Sequence, residues 1–131
     1  MTRLAHLAIA VRDLAGAVRV YTEALGLSLA GEETLPEEGV RIAFLEAGGV
    51  RVELLESLGP ETPVGRFLAR RGEGIHHVAF YVDDLDAALA RARERGLQPA
   101  GSPRRGAEGR RIAFLHPSGS HGVLVELIQA S

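Results

Sequence analysis

The sequence predicts an α+β fold built from two tandem βαβββ modules. The first observation behind this prediction is a repeat, because the segment 6–14, "HLAIAVRDL", matches the segment 77–85, "HVAFYVDDL". The second is that "GVRIAFL" and "VRVELLES" return in the same order as "GRRIAFL" and "VLVELIQA". The third is that apolar residues alternate at the start of each copy and then recur at helical spacing. The two halves are therefore predicted to be one duplicated unit.

The first module is predicted to span about residues 4–57. Asp13 stands where a helix N-cap is expected, and Gly26 stands where that helix should end. The sequence "EAGG" predicts a hairpin turn between the last two strands. The predicted elements are a strand over 4–11, a helix over 14–25, and strands over 28–32, 40–46 and 50–56.

The second module, about residues 75–131, is predicted to repeat this order, with Asp84 as the N-cap and Gly96 as the helix stop. Residues 58–74 are predicted to link the modules and to contain a short helix over 62–71. The predicted elements of the second module are a strand over 76–82, a helix over 85–95, and strands over 97–101, 109–115 and 123–129.

The composition bounds the function classes that are open to this chain. Its 131 residues, 46% of them hydrophobic, are enough for a single domain with a proper core. A net charge of −2 gives no pull towards nucleic acid or an anionic membrane. Without a membrane-length apolar run or a signal-peptide pattern, we expect a cytoplasmic protein. The absence of Cys and Lys excludes disulfides, thiolate chemistry and Schiff-base chemistry.

Two histidines occupy equivalent positions at the start of the two modules. Because strand residues alternate between faces, His6 shares its face with Ala8 and Ala10, and His77 shares its face with Ala79. The small alanines leave room beside each imidazole. A single histidine on a half-buried strand usually has an ordinary structural role, so the repeat is what favours a functional one.

Two glutamates are repeated in the same way. Glu53 and Glu126 each lie between apolar residues of the last strand of a module, and so they are predicted to point away from the core. Pseudo-twofold symmetry allows His6, Glu53, His77 and Glu126 to converge in one metal-binding cleft formed by both sheets. Two imidazoles and two carboxylates suit a divalent ion such as Co, Mn, Ni or Zn.

Other polar residues are weaker candidates. His76 should face the opposite side from His77, which favours a structural or rim position. His116 and His121 lie in the loop "HPSGSHG", where an ordinary surface role is favoured. The basic segment 103–111, "PRRGAEGRR", is as compatible with a solvated loop as with phosphate binding.

These residues resemble a known family. Paired βαβββ modules with His and Glu ligands from both halves are similar to the vicinal oxygen chelate superfamily. Within it, "GIHHVAFYVDDLDAALARARERG" and "GRRIAFLHPSGSHGVLVELIQ" resemble the methylmalonyl-CoA epimerase family, as does "VELLESLGPETPVGRFL". The resemblance covers about residues 4–129 and is more specific in the second half.

The resemblance implies a metal-dependent epimerase that interconverts the (R) and (S) forms of methylmalonyl-CoA through a metal-stabilised enolate. It implies that His6, Glu53, His77 and Glu126 are the metal ligands, that cobalt is the preferred ion and that homodimers form. Glu126 and Glu53 are the best available acid/base groups. The acyl-CoA phosphates could meet Arg residues of 103–111, or those near Arg70 and Arg71.

One position departs from the family pattern. Some members carry a proposed second base on the strand that reads "GVRIAFL" here, and alignment places Ile42 at that position. An isoleucine side chain cannot transfer a proton, which puts a two-base mechanism with that residue in doubt.

Three alternatives share the fold. Glyoxalase I (lactoylglutathione lyase) uses nearly the same proton-transfer logic, and the first module fits it almost as well. A ring-cleaving dioxygenase would use two His and one carboxylate, so the fourth predicted ligand argues against it. A non-enzymatic ligand-binding or resistance protein would typically lack the ligand set.

Overall fold

A computed structural model describes residues 2–131 of the protein. These residues contain eight strands and three α-helices. In chain order they are β1 (Arg3–Ala10), α1 (Leu14–Arg19), β2 (Ser28–Leu35), β3 (Val40–Ala47), β4 (Val50–Ser57), α2 (Pro63–Arg71), β5 (Gly74–Val82), α3 (Leu85–Glu94), β6 (Arg104–Arg105), β7 (Arg111–Leu115) and β8 (Val125–Gln129).

The chain divides into two compact units, of which the first comprises residues 6–76. Its strands follow the order β2-β3-β4-β1. The pairs β2–β3 and β3–β4 are antiparallel, whereas β1 and β4 are parallel. Leu14 of α1 packs with Leu45 of β3 and Leu54 of β4 in the hydrophobic core of this unit.

The second unit comprises residues 77–131 together with the N-terminal residues up to Ala5. Its strands follow the order β5-β8-β7-β6, again with one parallel pair, β5–β8, and antiparallel pairs elsewhere. Leu85 and Leu89 of α3 pack with Leu115 of β7 and Leu127 of β8. Each unit therefore places one helix against one face of its strands.

The predicted fold class of two βαβββ modules is confirmed, and so are its helix caps. The Asp13 carboxylate accepts a hydrogen bond of 3.2 Å from the Gly16 amide, and the Asp84 carboxylate accepts one of 3.1 Å from Ala87. Each side chain satisfies an amide that has no partner inside the helix. The same local chemistry thus starts the helix in both modules.

The predicted helix over 14–25 changes character partway along. Regular α-helix ends at Arg19, and Val20–Ala24 continues as a π-helical turn. The Thr22 hydroxyl donates to the Val18 carbonyl at 2.7 Å. A side chain thus binds a carbonyl that would accept from a backbone amide in a regular α-helix. The sequence periodicity shows the helix but not this local switch in hydrogen bonding.

The predicted strand over 97–101 is wrong. Pro99 forms only an isolated bridge with Leu115, flanked by hydrogen bonds from the Ala100 amide to the Phe114 carbonyl at 2.8 Å and from the His116 amide to the Gln98 carbonyl at 2.7 Å. Gly101, at φ +91°, then turns the backbone into the left-handed region. The outer strand of this unit is instead the two-residue β6.

Other element boundaries differ by a few residues. β2 continues to Leu35 rather than ending at 32, while β7 and β8 begin at Arg111 and Val125. A 3₁₀ turn over Ala107–Gly109 delays the start of β7. Across residues 2–131, the structure has no helix that is both long enough and apolar enough to span a membrane.

Candidate metal centre

The first histidine–glutamate pair joins β1 to β4. Nδ1 of His6 lies 3.1 Å from Oε2 of Glu53. In the parallel register Ala8 stands beside Glu53, so the two polar residues are diagonal neighbours on one face of the strands. The Ala8 side chain is too small to separate them. The structure therefore brings together the two predicted site residues of the first half.

Packing fixes which way this pair points. Ile9 of β1 and Val52 and Leu54 of β4 belong to the core that lies against α1. Because strand residues alternate, the residues between them must project from the opposite face. Burying the apolar set under α1 thereby orients His6 and Glu53.

The second pair repeats this geometry on β5 and β8. Nε2 of His77 lies 3.0 Å from Oε1 of Glu126. Phe80 and Leu127 pack in the core against α3, which leaves His77 and Glu126 on the other face. Both predicted pairs therefore form within their own halves, at nearly the same separation.

Burial sets these four side chains apart. They are the buried polar or charged residues among residues 2–131, with exposed fractions of 4–6%. Moving a carboxylate out of water costs on the order of several kcal/mol unless a partner compensates its charge. A histidine alone is a weak partner because it carries charge only when protonated. A bound cation would compensate a buried carboxylate more fully.

The donor atoms fit a divalent ion. The N–O separations of 3.1 Å and 3.0 Å in the two pairs are hydrogen-bond distances, and they leave the two donor atoms of each pair close enough to bind one ion. His6, His77 and Glu126 are buried residues of the kind that could hold a metal ion. Imidazole and carboxylate together select a divalent transition metal.

An aromatic ring and an arginine flank the first pair. Phe44 of β3 stands opposite Glu53 in the antiparallel register. The Arg51 guanidinium lies 4.8 Å from the centroid of the Phe44 ring, and Arg51 Nε lies 3.5 Å from Glu46 Oε1. In the parallel register Arg51 stands beside His6, so it shares the face of the pair.

The second pair has a similar flank. Phe114 of β7 stands opposite Glu126, and its ring meets the His77 ring edge-on with 5.2 Å between centroids. The Arg104 guanidinium lies 5.3 Å from the centroid of the Phe114 ring. Neither phenylalanine–arginine contact was predicted from the sequence. The repeated "RIAFL" segment was the available signal, since it places a phenylalanine at equivalent positions in both halves.

Ile42 lies two residues before Phe44 on β3. Its side chain is 4% exposed and stands opposite Leu55 of β4. The position is therefore apolar and buried, and it offers no group that could exchange a proton. Any acid/base chemistry of the first half must come from another residue.

The remaining histidines have other surroundings. His76 is half-buried with its ring against Phe67 of α2, at 5.0 Å between centroids. His116 is exposed, and its Nδ1 accepts a hydrogen bond of 3.1 Å from the Ser118 amide. His121 is exposed in a left-handed turn conformation.

The basic segment 103–111 is partly engaged by local contacts. Arg105 donates to the Gly109 carbonyl at 2.7 Å, and Arg111 pairs with Asp86 at 2.9 Å. Arg110 donates to the carbonyls at the end of β8 and stacks on Tyr81. These contacts fix the segment but assign no ligand to it.

Comparison with known families identifies the class of protein. Residues 5–114 match the model of the Glyoxalase/Bleomycin resistance protein/Dioxygenase superfamily. The chain belongs to this superfamily, as the resemblance predicted.

Within that class, the chain is similar to methylmalonyl-CoA epimerases. It is 40% identical to the ethylmalonyl-CoA/methylmalonyl-CoA epimerase of Cereibacter sphaeroides, over 97% of both proteins. It is 39% identical to the mitochondrial methylmalonyl-CoA epimerase of Bos taurus, over 98% of this chain and 74% of that protein. A solved methylmalonyl-CoA epimerase in complex with methylmalonyl-CoA and NH4+ covers all of this chain and 96% of its own, with a TM-score of 0.94 and 40% identity.

Proposed function

We propose that the protein interconverts (R)- and (S)-methylmalonyl-CoA by removing and returning the proton α to the thioester. The observation that carries this proposal is the full-length similarity to epimerases at about 40% identity, including one solved with methylmalonyl-CoA. The two buried histidine–glutamate pairs supply a site chemistry that suits this reaction.

We further propose that His6, Glu53, His77 and Glu126 hold one divalent ion. The equal donor separations of the two pairs support this assignment, as does the duplicated sequence around them. Cobalt is the proposed ion, and Mn, Ni and Zn have compatible ligand preferences. When bound, the ion supplies positive charge that stabilises negative charge developing on the substrate oxygens.

The proposed proton transfer uses the two glutamates. The α-proton of a thioester is weakly acidic, and a neighbouring carboxylate makes its removal harder. Glu53 and Glu126 come from equivalent strands of the two halves, so we assign them to opposite faces of the reacting carbon. One glutamate, ionised at the start, removes the α-proton and keeps it. The other, protonated at the start, delivers its own proton to the opposite face, and proton exchange with water resets the pair. The roles of the two glutamates exchange with the substrate stereoisomer. Because the Ile42 side chain cannot transfer a proton, we assign proton transfer to Glu53 and Glu126.

The direct test follows the α-proton in deuterated water. Purified protein is incubated with a single stereoisomer of methylmalonyl-CoA, with and without added Co²⁺ after chelator treatment. We expect deuterium incorporation together with interconversion of the stereoisomers, both dependent on the ion. A protein that is loaded with metal but incorporates no deuterium would contradict the proposal.

The same preparation distinguishes the alternatives. The hemithioacetal of methylglyoxal and glutathione serves as the glyoxalase I substrate, and the relatives described above give that activity no support. Turnover of the hemithioacetal without turnover of methylmalonyl-CoA would show that the protein is a glyoxalase I and not an epimerase. Binding of an apolar cationic ligand by a metal-free, inactive protein would instead indicate a resistance protein.

We also propose a cellular location, an oligomeric state and a set of CoA contacts for the protein. We propose that the protein acts in the cytoplasm as a homodimer and that arginines of 103–111, or Arg70 and Arg71, contact the CoA phosphates. Light scattering at several concentrations measures the oligomeric state. Substrates shortened to the pantetheine arm measure how much the phosphates contribute to KM.

A further inference from the structure

The phenylalanine–arginine contacts show an asymmetry that the duplicated scaffold does not explain. Phe44 and Phe114 occupy equivalent positions of the two halves, opposite Glu53 and Glu126. Each ring carries one guanidinium within about 5 Å of its centroid. The two arginines that supply these guanidiniums, however, come from positions that are not equivalent.

The register makes this difference clear for the first half. Arg51 lies on β4 two residues before Glu53, and the equivalent position before Glu126 is Leu124. The scaffold therefore accepts an aliphatic side chain at this position. The second half keeps the same order of strands with a leucine there.

The second half obtains its guanidinium from a different strand. Arg104 of β6 pairs with Ile112 of β7, and the equivalent pair in the first half is Glu33 of β2 with Ile42 of β3. A glutamate thus stands where the second half has an arginine. Two positions that are not equivalent thus supply the same arrangement, a guanidinium on the ring that stands opposite a site glutamate.

Both guanidiniums are held in place yet remain partly accessible. Arg51 is fixed by the Phe44 ring and by Glu46, and its side chain is 25% exposed. Arg104 is half-buried, stacks on Phe114 and donates to the Ser102 carbonyl at 3.3 Å. A guanidinium whose stem is fixed loses little freedom when it binds an anion, and its planar fork matches a carboxylate.

Charge balance indicates what these arginines would bind. This step rests on the proposed function. The substrate anion has to bind beside two buried glutamates, which makes nearby positive charge favourable. The substrate carries one carboxylate beside the reacting carbon, and proton removal adds negative charge at the thioester oxygen. A guanidinium beside each histidine–glutamate pair offers the planar donors that a carboxylate accepts, and Arg51 would do so while keeping its contact with Glu46.

We propose that Arg51 and Arg104 are specificity residues that bind the anionic oxygens flanking the reacting carbon. They select CoA thioesters with a free carboxylate at the α-carbon over simple acyl-CoA thioesters. Each arginine acts beside the histidine–glutamate pair of its own half, where the phenylalanine opposite the site glutamate positions it.

The test compares two probes of different charge that the proposed reaction does not convert into another compound. Malonyl-CoA carries the carboxylate and propionyl-CoA lacks it, and the affinity of each is measured by calorimetry on cobalt-loaded protein. The variants are Arg51→Leu, which copies the residue at the equivalent position 124, and Arg104→Gln. The control is Arg91→Gln, which removes an exposed arginine from α3.

We expect the unmodified protein to bind malonyl-CoA more tightly than propionyl-CoA. Each site variant should lose roughly 10- to 100-fold in affinity for malonyl-CoA, the range for a hydrogen bond to a charged group, with little change for propionyl-CoA. Arg104→Lys should restore part of the loss. Cobalt content and the melting temperature should stay at the level of the control, since neither arginine is a proposed metal ligand.

Two outcomes would overturn the inference. If both variants have the same ratio of malonyl-CoA affinity to propionyl-CoA affinity as the unmodified protein, the arginines do not bind the substrate carboxylate. If both probes weaken equally and cobalt content falls, the arginines support the architecture rather than specificity. Either result leaves the epimerase proposal standing whenever the unmodified protein exchanges the α-proton. A protein that binds no acyl-CoA and exchanges no α-proton would refute both.

Discussion

At the residue scale, the candidate site could be predicted because it is duplicated. His6, Glu53, His77 and Glu126 were identifiable from matching positions in the repeat, and all four prove to be buried. Arg51 and Arg104 could not be found in this way, because their contacts depend on strand register and on positions that the repeat does not share.

The first prediction concerns Glu126. Replacing it by Gln removes a proposed base while keeping the shape of the side chain, so α-proton exchange should fall about 100-fold or more. Deuterium incorporation measured by mass spectrometry checks this. Glu94→Gln, an exposed change on α3, is the matched control and should leave exchange unchanged. Normal exchange by Glu126→Gln would remove this residue from the mechanism.

The second prediction concerns metal binding by His77. His77→Ala removes one donor of the second pair, so the protein should retain less cobalt after dialysis against a weak chelator. Metal analysis of the dialysed protein measures the loss. His121→Asn removes an exposed histidine and suits the left-handed backbone there, so it should retain cobalt as the unmodified protein does. Equal retention by both variants would exclude His77 as a ligand.

At the element scale, periodicity predicted the three α-helices and most strands, but local hydrogen bonding changed their details. Residues 97–101 make a single bridge to β7 before the left-handed Gly101, and the outer strand of the second unit is β6. The hydroxyl of Thr22 accompanies a π-helical turn after α1. Such features depend on individual hydrogen bonds, which an apolar pattern does not encode.

The third prediction concerns the cap of α3. Asp84→Ala removes the acceptor for the Ala87 amide, so the free energy of unfolding should fall by about 1 kcal/mol. Asp84→Asn keeps a capping oxygen and should retain most of the stability. Urea unfolding followed by circular dichroism compares the two variants. Equal stabilities of Asp84→Ala and the unmodified protein would show that the cap contributes little to α3.

At the scale of the whole molecule, the two units have the same order of elements and carry the same type of donor pair. We propose that residues 1–131 form one domain, with module 1 over about 4–57, a linker over 58–74 and module 2 over about 75–131. On this proposal, both modules contribute ligands to one ion, so metal binding should stabilise the chain as a whole.

The fourth prediction follows from that linkage. Cobalt at 100 times its dissociation constant should stabilise the folded protein by about 2.7 kcal/mol, because it binds the folded state preferentially. Calorimetry should show one cooperative transition that moves to higher temperature with added cobalt and returns after chelation. Two separate transitions, of which only one responds to cobalt, would contradict a shared ion.

The outermost strands of the two units, β2 and β6, affect how readily copies of the protein associate through their strand edges. β2 is eight residues long and carries Glu32 and Glu33, whereas β6 has only two residues, Arg104 and Arg105. A long unpaired strand invites another chain to extend its ladder, and like charges or short length discourage this. Two copies meeting along β2 would each bring two carboxylates to the contact, while β6 offers almost no ladder. We therefore expect both terminal strands to resist edge-to-edge association between copies of the protein.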